Sequence, residues 1–332
     1  MKVNRGIMRS VVVLVSTLLT GSSLLGQVKL AQSGFQFLSI GADARATGMA
    51  EAMTTSDWGS GALFFNPAGM AQMPTAFDLA ASRNQWIADI THNAFSMAIN
   101  PANGVLGVFG ISLFSVDYGE IEGTMYWESD AGYIDTEVFT PGAIAVGVGY
   151  ARAISDRFSV GGHVKYVGQH LGESVVPVGD SLTAKKNLAF ATAVDFGTLF
   201  KTGFRGLVFG MSIRNFSGEV KYERETFQLP LTFRMGLAAN LFEFLGVQSG
   251  SQALHLRVDA SHPRAFSEQM NVGIEYGFLN TVFLRGGYLV NYDERGGTFG
   301  VGVQLLGLHV DYAYTPFGIF DQVQQFTIRF AR

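Results

Sequence analysis

Apolar and polar residues alternate along most of the chain from residue 75 to residue 332. In the hexapeptide LHLRVD, residues 254–259, the leucines and the valine share one face, whereas His255, Arg257 and Asp259 share the other. Because successive side chains of a β-strand point to opposite faces, this period of two predicts strands. About fourteen segments repeat the pattern. Their centres lie near residues 79, 96, 110, 147, 163, 194, 210, 236, 257, 274, 285, 302, 312 and 327.

The chemistry of the two faces distinguishes a membrane barrel from a soluble sandwich. The apolar face is rich in aromatic residues and free of charge, and the polar face is sparse, mixed in sign and interleaved with Gly and Ala. The polar face of a sandwich meets bulk water and is usually rich in Lys, Glu and Thr. A closed barrel leaves no unpaired strand edge in hydrocarbon. We therefore predict an all-β fold, a single antiparallel transmembrane β-barrel of about 14 strands.

A stretch without charge, residues 93–116, could be mistaken for a membrane-spanning helix. It contains the pentapeptide NPANG, residues 100–104. Proline removes a backbone donor and Asn-Gly favours a positive φ, so the pentapeptide predicts a turn. We interpret the stretch as two strands of ~10 residues joined by a hairpin, and ~10 residues is also the length of a tilted membrane strand.

The connections between predicted strands differ in length according to their order. Short turns at one end and long loops at the other are typical of outer-membrane barrels. We expect the long segment 241–252, which departs from this rule, to hold a short helix. The short connections are residues 100–104, 154–157, 200–206, 277–281 and 306–307, and the long ones are residues 117–141, 169–186 and 215–230.

Composition and charge exclude several classes of function. The 332-residue chain has 41 glycines, 13% aromatic residues and a net charge of −4, which gives no reason to expect nucleic acid as a partner. The absence of cysteine excludes disulfides, thiolate metal sites and cysteine nucleophiles. A hydrolase built on Ser159 and His163 would need the two side chains to converge, but along one strand they lie ~13 Å apart. We expect no enzyme activity, cofactor or metal.

The first 26 residues have the three parts of a secretory signal. Lys2, Arg5 and Arg9 precede an apolar core at residues 11–19, which is followed by small residues. A retained anchor is the alternative, but the core is shorter than the ~20 residues that span a bilayer as a helix. We predict a signal peptide at residues 1–26 and a mature protein that begins near Gln27.

The region between the signal and the first strand carries a family resemblance. Its residues are ARATGMAEA (44–52), Asp57 and LFFNPAGM (63–70). Asn caps helices and Pro is favoured at their first position, so Asn66-Pro67 alone could be an ordinary helix start. Together the stretches resemble the plug of FadL-type outer-membrane barrels, most closely the PorV/PorQ branch. The resemblance implies a plug at residues 27–74, with residues 44–55 as a short helix. Its motif residues are Asn66, Pro67, Ala68 and Gly69.

Charged residues at inward strand positions form a second candidate site. They could line a polar path or a ligand-binding wall, or they could form an internal ion-pair network that anchors the plug and fills the barrel, which we favour. Charges on the plug itself, including Glu51 and Asp57, also need partners because an unpaired buried charge is costly. The candidate lumenal network consists of Arg45, His163, Lys165, Arg214, Arg234, Arg257, Asp259, Glu275, Arg285, Asp311 and Arg329.

The resemblance also implies a location and two functions. PorV/PorQ-like barrels of the bacterial outer membrane act in type IX protein secretion, where they bind or shuttle cargo that carries a C-terminal sorting domain. The alternative is a FadL-like channel for hydrophobic small molecules, such as long-chain fatty acids or aromatics, and a purely structural barrel is a third interpretation. The expected partners are the lipid bilayer and either type IX components with their cargo or a hydrophobic ligand.

The long loop at residues 117–141 is the candidate surface for a protein partner. It combines seven acidic residues with five aromatic ones. Aromatic residues are enriched at protein interfaces, whereas an acidic loop that is simply solvated is the alternative. The spacing of the acidic residues matches no calcium loop. The candidate contact residues are Tyr118, Tyr126, Trp127 and Tyr133.

Overall fold

The computed structural model describes residues 33–332 except residues 129, 179–180, 223–224, 248–249 and 321. The predicted signal peptide, residues 1–26, lies outside the described residues. The strands are β1 (Phe77–Gln85), β2 (Thr91–Ile99), β3 (Val108–Asp117), β4 (Ile121–Tyr126), β5 (Tyr133–Phe139), β6 (Gly142–Ala153), β7 (Phe158–Val178), β8 (Ser181–Lys201), β9 (Val208–Phe216), β10 (Val220–Tyr222), β11 (Glu225–Phe227), β12 (Thr232–Asn240), β13 (Gln252–Pro263), β14 (Gln269–Phe278), β15 (Val282–Val290), β16 (Gly297–Leu305), β17 (Leu308–Pro316) and β18 (Gln322–Ala331).

Fourteen of these strands close into one antiparallel barrel. Around the wall their order is β1, β18, β17, β16, β15, β14, β13, β12, β9, β8, β7, β6, β3 and β2. The first and last strands pair directly, with Leu79 opposite Phe330, so the barrel has no free edge. Each predicted strand centre lies within one of the fourteen barrel strands, and the predicted fold class is confirmed.

The alternation in sequence becomes two chemically different walls. On β3, Phe109, Ile111 and Leu113 are exposed on the outside, whereas the alternate residues Ser112 and Phe114 are buried inside. Exposed large apolar side chains recur on most of the other barrel strands. Such a wall is unfavourable in water and suits the hydrocarbon of a bilayer, where a closed barrel satisfies every backbone group.

The two ends of the barrel differ in the length of their connections, as the sequence predicted. One end has mostly short turns, among them residues 154–157, 279–281 and 306–307, and its longer segment does hold the helix Leu241–Phe244. The opposite end carries the long connections. These are not plain loops, because β4 pairs with β5 and β10 pairs with β11 as two small separate sheets.

The prediction of a loop at residues 169–186 was wrong. β7 and β8 continue past the rest of the wall as one hairpin, with Glu173 opposite Lys186. The register shifts between His170 and Glu173, where Gly172 has φ 97°. A strand of ~10 residues is enough to cross the membrane. β7 and β8 can extend beyond that length because they pair with each other past the rest of the wall.

The residues before β1 form what we call the N-terminal segment, residues 33–76. It contains the helix Ala44–Gly48 and the 3-10 turns Gln36–Ser39, Gly59–Phe64 and Pro67–Met70. The helix predicted for residues 44–55 ends at Gly48, because the chain then turns through positive φ at Ala50 and Glu51. No helix in the described part of the chain is long and apolar enough to cross a bilayer.

The N-terminal segment runs through the inside of the barrel. Its helix packs on β16 and β17, the turn Gly59–Phe64 packs on β2 and β3, and the turn Pro67–Met70 packs on β6, β7 and β8. Ser33 bridges to Gln228 among the long connections, whereas the Gln72 side chain donates to the Asp156 carbonyl at the short-turn end, 3.2 Å away. The segment therefore spans the lumen from one end to the other.

Glycines on the inner wall mark the places where the N-terminal segment touches it. A Cβ atom at Gly161 would lie 2.5 Å from the backbone nitrogen of Ala68, and one at Gly287 would lie 2.5 Å from that of Ala50. A real Cβ atom cannot approach backbone so closely. Some of the 41 glycines therefore serve close backbone approach.

The face assignment gives a depth-dependent prediction. Val258 lies mid-strand on the outer face of β13, and Gln252 begins the same strand on the same face. Val258→Lys should destabilise the barrel by about 2–4 kcal/mol, and Gln252→Lys by about 0–1 kcal/mol, because a charge costs most at the bilayer midplane. Unfolding in urea, followed by the gel mobility of unheated samples, measures both. Equal destabilisation by the two variants would refute a lipid-facing Val258.

Candidate functional site

The motif Asn66-Pro67-Ala68-Gly69 fastens the N-terminal segment to the barrel wall. The Asn66 side chain caps the turn Pro67–Met70 by accepting a hydrogen bond from the Ala68 backbone nitrogen at 3.1 Å. Its amide donates to the carbonyls of Thr54 and Thr198, at 2.6 and 3.0 Å. The motif is therefore a helix start, as its residue types suggest, and also a contact with β8.

A chain of four charged side chains joins the N-terminal segment to β14, β15 and β17. Arg45 donates two hydrogen bonds to Glu275, at 2.6 and 2.7 Å. Arg285 contacts both Glu275 and Asp311 at 2.6 Å. Charged hydrogen bonds of this length are strong, and Glu275 is shared by the guanidinium groups of the partly buried Arg45 and the buried Arg285. The cluster is compact and leaves Arg45 firmly held.

Trp58 of the N-terminal segment stacks against two guanidinium groups. Arg45 lies 3.7 Å and Arg329 4.2 Å from its ring centroid. Arg329 is paired with Asp78 at 2.5 Å, and Asp78 also accepts hydrogen bonds from Ser60. This stacking combines cation–π attraction with ion pairing and adds a second anchor for the segment.

A third cluster lies on β3, β7, β8 and β9. His163 contacts the Ser112 hydroxyl at 2.9 Å and Asp195 at 3.1 Å, and Lys165 contacts Asp195 at 2.8 Å and Asn215 at 2.5 Å. The arrangement of serine, histidine and aspartate resembles a catalytic triad. However, Lys165 shares the aspartate, and the cavity at Ser112 holds only about 20 Å³, which leaves no room for a substrate. We assign the cluster to stabilising the wall.

The strand pattern did not predict Ser112 or Asn215 as members of this cluster. His163 reaches Ser112 across β6 only because Gly147 lies between them, where a Cβ atom would clash with the ring. Asn215 has φ 60° at a register shift between β8 and β9, which turns it inward. In sequence, the only sign of the contact between His163 and Ser112 was Gly147, a residue without a side chain at an inward position of β6. The serine selected from sequence, Ser159, instead lies near Gln72, 3.4 Å from its amide.

The eleven residues of the predicted network all lie in the interior, but in separate clusters. Ten are buried and Arg45 is nearly so. Asp259 accepts hydrogen bonds from Thr54, and Arg257 lies 3.5 Å from the Met53 sulfur. Asp57, which seemed to need a partner, is exposed. Within the described chain, no group of three or more His, Asp and Glu side chains could hold a metal.

A cavity of about 680 Å³ lies at the end with the long connections, between the N-terminal segment and the wall. We call it the outer cavity. Its lining includes Arg214, Arg234 and Arg295 together with Glu51. Glu51 is 3.6 Å from Arg234 and 3.7 Å from Arg295, so these ion pairs are looser than those at Glu275. The aromatic side chains that line it are Trp86, Phe266, Tyr292 and Phe317.

Phenylalanines of the N-terminal segment pack into the core. Phe35, Phe37 and Phe65 are buried, and Phe37 stacks on Phe114 of the wall with ring centroids 6.1 Å apart. The small cavity beside Phe64 is the one that reaches Ser112, with a volume of about 20 Å³. These rings therefore fill the core and leave no apolar pocket of useful size beside them among the residues that the structure describes. The outer cavity is much larger than the cavity at Phe64.

The predicted partner surface is divided by the structure. Tyr126 is 80% exposed, and Trp127 and Tyr133 are about half exposed on and beside the small β4–β5 sheet. Tyr118 is not part of this surface. It is half-buried and packs against the interior cluster that includes Phe37, because it directly follows β3 before the chain leaves the wall.

Structure comparison identifies the architecture. The toluene transporter TbuX of Ralstonia pickettii superposes with a TM-score of 0.60 at 12% identity, over 88% of this chain and 98% of that one. The toluene transporter TodX of Pseudomonas putida gives 0.58 at 13% identity, over 87% and 96%. A Pseudomonas aeruginosa FadL homologue gives 0.53 at 12% identity, over 87% and 98%. The fold is FadL-like.

At this level of identity the likeness concerns the FadL-like fold alone. The sequence matches no protein-family model and no curated protein. The named neighbours are transporters or a FadL homologue rather than enzymes. A closed 14-strand barrel with a FadL-like fold and an apolar outer wall is a bacterial outer-membrane protein.

Proposed function

We propose that the protein is a FadL-like channel that admits small organic molecules with a hydrophobic part. The observation that carries the proposal is the outer cavity, which opens at the long-connection end and is lined by four aromatic side chains. Ligand sites are concave and usually combine aromatic side chains with a few polar groups. Long-chain fatty acids and monoaromatic compounds are the candidate substrate classes.

The contacts of the N-terminal segment differ along the lumen in a way that suits a gate. At Glu275 the segment is held by hydrogen bonds of 2.6–2.7 Å, whereas at the outer cavity Glu51 is 3.6–3.7 Å from its arginines. Leu38 and Ser39 also border that cavity. The side-chain ion pairs of Glu51 can therefore break at lower cost than the pair between Arg45 and Glu275.

A second candidate is the type IX secretion role that the PorV/PorQ resemblance implies. The observation that favours it is the exposed aromatic surface of Tyr126, Trp127 and Tyr133, since exposed aromatic clusters often contact proteins. The comparisons provide no support for that branch. We therefore place it second to the channel.

Uptake by a deletion strain separates the two candidates. Loss of the gene should reduce uptake of labelled toluene or oleate, and the wild-type gene should restore it, while surface display of type IX cargo stays normal. Complementation with Tyr126→Ser/Trp127→Ser, which alters only the outer sheet, should restore uptake equally well. Normal uptake combined with lost surface display would reverse the order of the candidates.

A further inference from the structure

Two arginines form part of the wall of the outer cavity from neighbouring strands. Arg214 lies on β9 opposite Thr232, and Arg234 lies on β12 opposite Ser212, so the arginines are diagonal neighbours on the inner face. They are only 7% and 6% exposed. Diagonal neighbours on one face lie within reach of long side chains, so two like charges share one buried region.

Neither guanidinium group is fully satisfied by the protein. Arg214 donates through Nη2 to the Leu38 carbonyl at 3.2 Å, and Arg234 donates through Nη1 to the Glu51 carbonyl at 3.1 Å. Among the described residues, neither Nε has a hydrogen-bond partner. A buried charged donor without an acceptor carries a desolvation penalty, which an acceptor on a ligand would remove.

The charge around the cavity favours an anion. Arg214, Arg234 and Arg295 line it, and the acidic lining residues are Glu51 and the exposed Asp293. Glu51 is shared between Arg234 and Arg295 at 3.6 and 3.7 Å, which leaves Arg214 without a close carboxylate in this cavity. A carboxylate matches the planar fork of a guanidinium group, and it can accept hydrogen bonds from two arginines at once.

The remaining wall indicates the body of the ligand. The Arg295 guanidinium lies 5.0–5.7 Å from the ring centroids of Trp86, Tyr292 and Phe317, so flat aromatic surfaces cluster at one side. Much of the rest of the lining is polar, including Asn215, Gln269 and Asn291. A long alkyl chain would require a mostly apolar wall, whereas a single ring can stack at the aromatic side and keep its polar edge among the amides.

We infer that the outer cavity binds compact aromatic carboxylates, with the carboxylate held between Arg214 and Arg234 and the ring against the aromatic side chains around Arg295. This inference rests on the proposed channel function and narrows its substrate class from long-chain fatty acids and monoaromatic compounds to compact aromatic carboxylates.

Titration calorimetry on the purified full-length protein in detergent tests the site, with benzoate, toluene and inorganic phosphate as probes. Benzoate should bind, and Arg214→Gln and Arg234→Gln should each weaken it about tenfold to a hundredfold. Arg257→Gln is the matched control, because Arg257 is equally buried but does not line the cavity, and its benzoate affinity should not change. If a glutamine variant fails to fold, Arg234→Lys keeps the charge, removes the fork and should still weaken binding.

The outcomes separate this inference from the channel proposal. If phosphate binds as tightly as benzoate, the cavity does not select for an aromatic ring. If Arg257→Gln weakens benzoate binding as much as the other two variants, the assignment of the carboxylate to Arg214 and Arg234 is wrong. Flux through proteoliposomes tests the channel itself. If toluene passes while benzoate neither binds nor passes, only the inference is overturned. If neither compound passes, the channel proposal is overturned as well.

Discussion

Replacing Glu275 with Gln should destabilise the folded barrel by about 3–5 kcal/mol, because removal of one partner leaves buried charges uncompensated. Glu275 receives hydrogen bonds from both Arg45 and Arg285 at 2.6–2.7 Å, and its side chain is 2% exposed. Glutamine keeps the shape of the side chain but not the negative charge. Urea unfolding, followed by the gel mobility of unheated samples, measures the change.

The chain contains a matched control for this substitution. Glu173 and Lys186 form an ion pair at 3.5 Å on the projecting hairpin, with side chains 38% and 69% exposed. Glu173→Gln should cost no more than about 1 kcal/mol, because solvent screens an exposed pair. If the two glutamine variants were equally stable, the charges around Glu275 would have to be hydrated rather than buried.

The barrel could be predicted from sequence because its signal is local. Each strand shows its own period of two, so residues 254–259 identify both faces of β13 without reference to any other strand. The end-to-end difference in connections is also visible in spacing alone. The extension of the β7–β8 hairpin was missed because it depends on pairing between two stretches of the chain. Neither stretch has a distinct boundary in sequence that would mark it as strand.

The interior clusters could not be predicted, because they depend on which strands become neighbours. Arg45 and Glu275 are 230 positions apart, and they meet only when the N-terminal segment has entered the closed barrel. The alternation of apolar and polar residues predicts that each charged side chain of these clusters that lies on a strand points inward. It does not predict which residue each one pairs with. The loose pairing around Glu51 and the unpaired Nε atoms of Arg214 and Arg234 likewise appear only once the segment is placed.

The contact between the motif and the wall gives a second large effect. Gly161 of β7 lies opposite Gly197 of β8, and the absence of both side chains makes a flat surface for Asn66 and Pro67. A Cβ atom at Gly161 would lie 2.5 Å from the Pro67 carbonyl carbon and from the Ala68 nitrogen. Gly161→Val should cost about 1–3 kcal/mol and displace the motif, because the hydrogen-bonded wall cannot move away.

Displacement of the motif should break the hydrogen bond from Asn66 to the Thr198 carbonyl, so Gly161→Val should raise ion conductance in planar bilayers and expose residues 33–76 to protease. Gly162→Val is the control. It makes the same change one position along β7 on the opposite face, where a Cβ atom would have no neighbour closer than 3.8 Å. Both variants add the same side chain to the same strand, but only Gly161→Val places it against the N-terminal segment. Wild-type conductance in Gly161→Val would mean that this segment does not close the lumen.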